Sequence, residues 1–369
     1  MKKTAFTLSA LALAASSAQA YTFVDNETSG TKLEFLGSAR IMWRSTSEKE
    51  TDADGSQTQE HINHAIANNG SRFGFRITQQ LGNGVYALGR VEWRFRGTGS
   101  SQHNFTDIYT RQLYAGIGHK QYGELTYGHQ TVITDEVKQT DLPNTLSLSD
   151  GLLNSAARKS VQYVYKGIDG LKVGVYYGGS SERGNTGLDL SNKRKDTWGA
   201  GAIYKYKIDD AQSITFGAGI TNETSERSGG NYDATAYSFG TAYTLNKTTL
   251  GLDLERKQTD DRYNSGDKRV QKEIRTVLYQ KLTDDWSAYT MYAYKTDKAD
   301  FTSAARSNTE SKTHQYMVGT EYYLVPKSNP LYVKTFLEWQ TSRAKNYTNG
   351  EKTSKTRDNQ TVIGLRAYW

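Results

Sequence analysis

One long segment of the chain, 129–157, collects carboxylates and carries a single lysine, Lys138. Its acidic residues are Asp135, Glu136, Asp141 and Asp150. Arginines stand on the segments around it, at positions that we assign to one inner wall: Arg40, Arg72, Arg76, Arg111 and Arg158. Several arginines on one wall need water or partners, because an unpaired buried charge is costly. An acidic segment facing such a wall would produce a transverse electric field, and rings of charge of this kind sort ions. The alternative is that these charged side chains are simply hydrated in an ordinary water-filled lumen and form no filter.

Catalytic or metal chemistry has little support in the sequence. A hydrolase needs a nucleophile, a base in reach and a group that orients the base. The chain has six His, most of them in polar segments, and no Gly-x-Ser-x-Gly motif. His61 and His64 stand beside Glu60 in a segment predicted as an exposed loop, and the later ligands of a calcium loop are missing after Asp54. We expect no enzyme, no metal and no cofactor.

The elements that position these charges are short alternating strands. In the stretch Val85–Phe95 the apolar residues recur at every second position, and Arg90, Glu92 and Arg94 fall between them. A period of two separates the two faces of a strand. By the same argument Phe73, Phe75 and Ile77 turn Arg72 and Arg76 inward. Two stretches alternate poorly or allow either register, 108–118 and 274–282.

The connections between these strands alternate between short and long, which is typical of periplasmic turns and extracellular loops. The long polar segments lie near 46–69, 97–107, 129–157, 179–195, 223–234, 258–271, 297–312 and 343–358. Eight long loops imply sixteen strands, enough to leave an aqueous channel. Aromatic pairs at segment ends, such as Tyr322–Tyr323 and Tyr368–Trp369, predict girdles at the lipid–water boundary.

Composition supports a barrel with a wet interior over a soluble domain. Only 36% of the 369 residues are hydrophobic, and the mean hydropathy is -0.73. Disorder does not fit this composition, because 12% of residues are aromatic and only 3 are Pro. No Cys is present, so neither disulfides nor thiolate sites are available. No apolar run outside the first twenty residues reaches the roughly 18 residues of a helical span.

The start of the chain carries a predicted export signal. Lys2 and Lys3, an apolar run and the site Ala-Gln-Ala at 18–20 predict a signal peptide over 1–20, which leaves 21–369 as one barrel domain. The formal charge of +7 includes those two lysines, and the remaining basic residues form no tract in the sequence. We therefore expect no nucleic-acid partner. Lipopolysaccharide phosphates outside the barrel and anionic solutes inside it are the expected partners of the excess positive charge.

Three motifs resemble the trimeric general-diffusion porins of Gram-negative outer membranes, and most closely the major porins of the Haemophilus and Pasteurella group. They are Arg-Gln-Leu-Tyr-Ala-Gly-Ile at 111–117, Tyr-Gly-Glu-Leu-Thr-Tyr-Gly at 122–128 and Ala-Arg-Lys-Ser-Val-Gln-Tyr-Val-Tyr at 157–165. The resemblance implies an all-β fold, a 16-stranded antiparallel transmembrane β-barrel whose third loop folds into the lumen. It also implies a homotrimer in the cell outer membrane.

The resemblance also implies roles for individual residues. Arg72, Arg111 and Arg158 match the arginine cluster of the family, and Asp141 in Thr-Asp-Leu-Pro matches the constriction aspartate. The chain has Asn144 where the family has a glutamate, which implies a weak ion preference unless Glu136 compensates. The final residue, Trp369, replaces the usual Phe and would still serve as the aromatic assembly signal.

The sequence therefore predicts passive diffusion of small hydrophilic solutes and ions through a water-filled channel. The filter would lie where the acidic third loop faces Arg40, Arg72, Arg76, Arg111 and Arg158. A substrate-specific channel for sugars or anionic solutes is one alternative. A non-conducting, adhesin-type barrel is another.

Overall fold

A computed structural model describes residues 21–95, 107–146, 148, 151–182, 193–227, 230–262, 264 and 266–369. The predicted signal peptide at 1–20 and Asp150 lie outside these residues. Within the described ranges the chain is almost entirely β-strand, with one 3-10 helix, Ile133–Asp135. No helix in this part of the chain has the length and apolar character needed to cross a membrane.

The strand segments follow one another as a meander. Their bounds are β1 Tyr21–Asn26, β2 Thr31–Asp52, β3 Gln57–Asn68, β4 Arg72–Gly82, β5 Val85–Phe95, β6 Ile108–His119, β7 Gly123–Thr131, β8 Ala156–Ile168, β9 Leu171–Gly178, β10 Ser181–Glu182, β11 Lys193–Lys207, β12 Gln212–Arg227, β13 Gly230–Leu245, β14 Thr248–Asp261, β15 Lys268–Lys281, β16 Trp286–Asp300, β17 Thr309–Val325, β18 Tyr332–Thr348 and β19 Glu351–Tyr368.

These segments make a closed antiparallel barrel of sixteen strands, which confirms the predicted fold class. β3 and β4 pair with successive parts of β2 and form one barrel strand. β10 continues β9 along the edge of β11. The last strand, β19, pairs with residues 38–52 of β2, and β1 pairs with residues 31–35 of the same strand. Because the last strand pairs with the first long strand, the described sheet closes on itself, as a sheet in lipid requires.

Side chains alternate between the two faces of the wall. Leu337 and Trp339 are 48% and 41% exposed, whereas Glu338 between them is 1% exposed. In β15, Val277 is buried and Leu278 is exposed, which fixes the register that the sequence left open. The same alternation corrects the prediction that Tyr368 belongs to an aromatic girdle at the lipid–water boundary. Tyr368 is buried on the inner face, where its ring stacks on Tyr332 with centroids 4.6 Å apart.

Much of the sequence predicted as long loops is paired strand, so the predicted loops at 46–69 and 343–358 were wrong. β18 and β19 pair as far as Thr348 and Glu351 around a two-residue turn. That turn is Asn349-Gly350, with φ of 52° and 87°, the pair of positive values that suits a tight hairpin. Beyond the apolar band both faces of a strand meet water. The alternation of residue types therefore stops while the backbone pairing continues.

Candidate functional site

The segment 132–155 between β7 and β8, called the inner loop below, folds into the barrel. Its first part packs on the inner face of the wall, where Val132, Ile133 and Val137 are buried. Their partners are inward aliphatic and aromatic residues of β8, β9 and β11: Ala157, Val164, Tyr176 and Ile203. Burial of this cluster fixes where the loop enters the lumen.

A group of buried charges fixes the middle of the inner loop. Asp253 on β14 accepts hydrogen bonds from the amides of Gln139 at 2.8 Å and Thr140 at 3.0 Å. The fully buried Arg275 on β15 lies 3.4 Å from Asp253, 3.2 Å from Glu255 and 3.1 Å from Glu273. Glu255 also accepts a hydrogen bond from the amide of Leu152 at 2.9 Å. These charges stay in the wall because each has a partner of opposite charge or an amide donor.

A second group of charges fixes the tip of the inner loop to β18 and β19. Lys334 donates to the carbonyl of Pro143 at 2.9 Å and to Glu321 at 2.6 Å. Arg366 donates to the carbonyls of Asn144 and Thr145.

The backbone of the tip suits the asparagine at position 144, where the resemblance stated above implies a glutamate. Asn144 has a φ of 47°, in the left-handed region that asparagine tolerates better than glutamate does. Its side chain is therefore suited to the turn, and its carbonyl is the group that Arg366 holds.

The wall formed by β2 and β4 carries three of the predicted arginines, and Arg40 stands directly opposite Arg366 in the pairing of β2 with β19. Arg40, Arg72 and Arg76 line a cavity of about 1120 Å³. Arg76 pairs with Glu34 at 2.5 Å, and Arg72 lies 3.7 Å from Glu92. Arg40 donates to the hydroxyl of Ser38 at 2.8 Å. Asp135 and Glu136 of the inner loop line the same cavity, so the structure brings acidic loop and basic wall together.

Local bulges change the placement of two predicted arginines. Arg111 is the extra residue in a bulge of β6, because its neighbours at 110 and 112 pair with the consecutive residues Trp93 and Glu92 of β5. It still interacts electrostatically with Arg72 and Glu92. Arg158 falls in a bulge of β8, and its carbonyl accepts a hydrogen bond from Arg194 at 2.5 Å. A bulge interrupts the period of two on which both predictions rested. Neither side chain lines the described cavity.

The acidic residues of the inner loop differ in their surroundings. Glu136 lies 2.5 Å from Lys172, which compensates its charge. Asp135 lies 3.9 Å from Lys138. Asp141 is partly exposed and does not line the described cavity, because Thr140 before it is hydrogen-bonded to Asp253 on the wall. Of the acidic residues of the inner loop, those at 135–136 line the cavity, and Asp141 interacts electrostatically with Asp135.

The charges on the cavity wall nearly balance. Among the described residues that line it, eight are Lys or Arg and seven are Asp or Glu. Because the lining has only one more positive than negative charge, it predicts a weak preference for anions over cations.

The sequence reasoning missed the residues that hold the loop, chiefly Arg275, Arg366, Glu338 and Asp253. A signal was present for Asp253, Glu338 and Arg366, because each stands between two apolar residues. Arg275 lies in the stretch 274–282, whose register the sequence left open. What the sequence could not supply is the partner, since Asp253 and Thr140 are 113 residues apart.

The last residue closes the barrel. Trp369 exchanges two backbone hydrogen bonds with Gly37, at 2.8 and 3.1 Å. Its indole covers Gly37, and a Cβ at that position would overlap the ring. The terminal aromatic is thus fitted to a glycine on the first long strand.

Comparison with known proteins identifies the family. A profile described as Gram-negative porin matches residues 7–333. The chain belongs to the Gram-negative porins. It is 26% identical to the "Major outer membrane protein" of Pasteurella multocida strain Pm70 over 390 aligned residues that cover both chains completely. The porin is accordingly an outer-membrane channel protein.

Two solved structures share its fold. The trimer form of OmpT, an outer membrane protein of Vibrio cholerae, matches with a TM-score of 0.63 and 17% identity, covering 92% of this chain and 100% of that one. The anion-selective porin from Comamonas acidovorans matches with a TM-score of 0.60 and 15% identity, covering 92% and 100%. At these identities the likeness is one of fold.

Proposed function

We propose that small hydrophilic solutes and ions diffuse passively through the lumen and are filtered between the inner loop and the arginine wall. The observation that carries this proposal is the position of the inner loop. It is bound to inward residues of strands between β8 and β19, and its residues 135–136 line the same cavity as Arg40, Arg72 and Arg76. Diffusion through such an opening needs no cofactor and no energy source.

The filter would favour anions slightly. The wall carries one more positive than negative charge among the described lining residues. Several of its arginines share few carboxylates: Arg72 and Arg90 both reach Glu92. Anions would pass along these guanidinium groups, whereas cations would be attracted by Asp135 and Glu136. Lys172 compensates the charge of Glu136. Arg111 would contribute through its interaction with Arg72 and Glu92.

Planar-bilayer recordings test the proposal. The purified porin should give stepwise conductance that rises in proportion to salt concentration, and a reversal potential of small magnitude with anionic sign in a salt gradient. A conductance that saturates and is blocked by one sugar or anionic solute would instead favour a substrate-specific channel. A barrel without conductance would contradict the proposal and favour the adhesin alternative.

We further propose that three copies assemble, with Trp369 as the assembly signal and no catalytic activity. The trimer form of OmpT from Vibrio cholerae supports the assembly, and family membership supports a channel over an enzyme. Native mass spectrometry should find a species of three chains, and conductance steps should occur in groups of three.

A further inference from the structure

The wall beneath the inner loop is lined with glycines, although strands are normally depleted in this residue. Six of them lie on five neighbouring strands, β9 and β11 to β14: Gly174, Gly201, Gly217, Gly219, Gly240 and Gly251. These six residues are called the glycine track below. A glycine inside a strand weakens the strand and often marks a place where another backbone approaches closely.

Strand pairing arranges most of the glycine track in two rows that cross the wall. One row runs through β9, β11 and β12 and consists of Gly174, Gly201 and Gly219. The other runs through β12 and β13 and consists of Gly217 and Gly240. Beyond Gly240, the directly paired residue of β14 is Asp253. The second row therefore ends at the carboxylate that accepts hydrogen bonds from two amides of the inner loop.

The inner loop lies on the glycine track with its backbone. A Cβ atom added at Gly217 would lie 2.0 Å from the carbonyl oxygen of Val137, and one at Gly251 would lie 2.7 Å from that of Gln139. Real Cβ atoms do not come within 3.0 Å of such an atom. Because the contact region is close-packed, a Cβ atom at Gly217 requires the loop or the wall to move by about 1 Å.

The side chain of Val137 fills the hollow between the two rows. It is fully buried, and Cβ atoms added at Gly201 and Gly219 would lie 3.1 and 3.3 Å from its methyl groups. These contacts are tight, but a side chain can give way more easily than a carbonyl group held in a backbone. The closest contacts of the track are therefore with loop backbone at Gly217 and Gly251, and with loop side chains at Gly201.

The part of the loop that lies on the track is continuous with the part that lines the opening. Asp135 and Glu136 line the cavity and directly precede Val137. The strands behind the loop are fixed, because β12 pairs along its length with β11 on one side and with β13 on the other. A loop that stands farther from this wall must therefore take up space in the lumen.

We propose that the glycine track sets the width of the opening. Glycine at these positions lets the inner loop lie flat on the wall, and a larger residue moves the loop into the lumen. Gly217 and Gly251 are then positioning residues for the filter, and they act through the loop that covers them. This inference rests on the proposed function, because it concerns the size of solute that the filter admits.

Single-channel recording in planar bilayers tests the proposal, with neutral polyethylene glycols of graded size as probes. Gly217→Ala should lower the unitary conductance about 1.2-fold or more and exclude polymers that enter the wild type, because overpacking shifts the loop backbone. Gly251→Ala should have a smaller effect and Gly201→Ala the smallest, in the order of their contact distances. Both quantities are measured on open channels, so a lower yield of folded porin does not change them.

The matched control is Gly89→Ala, which also changes a glycine in the middle of a strand. Gly89 pairs with Ile77 on the outer face of the wall, and its added Cβ would lie 3.4 Å from Cγ2 of Ile77, an ordinary contact. This variant should keep the unitary conductance and the polymer exclusion limit of the wild type.

An unchanged or larger conductance in Gly217→Ala would overturn the proposal, as would equal changes in Gly217→Ala and Gly89→Ala. If Gly217→Ala forms no channels, Gly251→Ala and Gly201→Ala decide, and wild-type values in both would overturn it. A wild type without conductance would overturn the proposed function and this inference with it. A conducting wild type whose variants do not respond would overturn this inference alone.

Discussion

The amide of Leu146 donates a hydrogen bond of 3.2 Å to the carboxylate of Glu338, which joins the tip of the inner loop to β18. The same carboxylate accepts hydrogen bonds from the hydroxyls of Thr145 and Tyr289, the latter at 2.6 Å. Glu338 is 1% exposed, so one buried side chain serves three donors. The position of the loop tip therefore depends on an inward residue of β18, which is separated from β2 and Arg40 by β19 alone.

Replacing this acceptor should release the loop tip. Glu338→Ala leaves three buried donors without a partner, which should cost about 3 kcal/mol of unfolding free energy. Single-channel records should show noisier open states. Glu338→Gln keeps one acceptor oxygen and should lie between Glu338→Ala and the wild type. Quiet, wild-type openings in Glu338→Ala would show that the tip is held by other contacts.

Removing the buried guanidinium on β15 should be more damaging. Arg275→Met leaves Asp253, Glu255 and Glu273 close together without their shared cation, and breaking a buried pair costs about 3–5 kcal/mol. Urea unfolding in lipid vesicles measures the loss. The control is Arg306→Met, because Arg306 is 48% exposed in its pair with Asp267 and should contribute less than about 1 kcal/mol. Equal losses in the two variants would contradict this assignment.

Neutral substitutions on the arginine wall should shift ion preference toward cations. Arg72→Ser and Arg76→Ser each remove a positive charge from the cavity lining and leave Glu92 or Glu34 less compensated. The reversal potential in a tenfold salt gradient should move toward the cation limit by a few millivolts or more. Lys298→Ser, which removes an outward charge, should leave that potential unchanged. A shift toward anions would mean that the wall is misassigned.

Closure of the barrel should depend on the fit of Trp369 to Gly37. Gly37→Val places side-chain atoms where the indole lies, so refolding into lipid should slow and the yield of assembled porin should fall. Trp369→Phe keeps an aromatic ring and should assemble, whereas Trp369→Ala should not. Heat-resistant bands on gels measure the assembled fraction. Normal assembly of Trp369→Ala would refute the role of the ring.

One contact between extracellular loops should respond to acid. Asp267 accepts hydrogen bonds from the backbone amide of Thr302 at 2.7 Å and from its hydroxyl at 2.8 Å, and these bonds lower the pKa of Asp267. A lowered pKa means that the stabilisation is present above the unfolded value of about 3.9 and is lost as pH falls through the folded value.

Hydrogen exchange of the Thr302 amide checks that sign. Protection should be constant from pH 7 to about 5 after correction for the intrinsic rate, and should fall below about pH 4. Asp267→Asn should lack this acid transition. A transition at the same pH in the variant would assign it to another group.

Sequence periodicity was enough to predict the barrel because a wall between lipid and water imposes alternation on every strand. It placed Arg40, Arg72 and Arg76 on the inner face, where the structure has them. It could not place Arg111 and Arg158, because bulges shift parity by one residue without a change in composition. It also did not find the ends of the strands beyond the membrane, where Asp54-Gly55 and Asn349-Gly350 were local signals of hairpins.

The attachment of the inner loop was beyond the reach of sequence for another reason. Arg366 binds carbonyls of Asn144 and Thr145, which lie more than two hundred residues earlier in the chain. Every residue has a backbone carbonyl, so the residue types at 144 and 145 do not indicate that Arg366 binds there. The sequence showed that the loop is acidic, and only the fold shows which of its acids face the cavity.

Thiol labelling of two neighbouring positions tests the central claim, that ions pass along the face that carries Arg76. The chain has no Cys, so Arg76→Cys and Ile77→Cys each introduce a unique thiol, one on the cavity lining and one 47% exposed on the outer face. A negatively charged, water-soluble methanethiosulfonate added during bilayer recording should change the conductance of Arg76→Cys in steps and leave Ile77→Cys unchanged. Equal responses at the two positions, or a response at Ile77→Cys alone, would contradict the account.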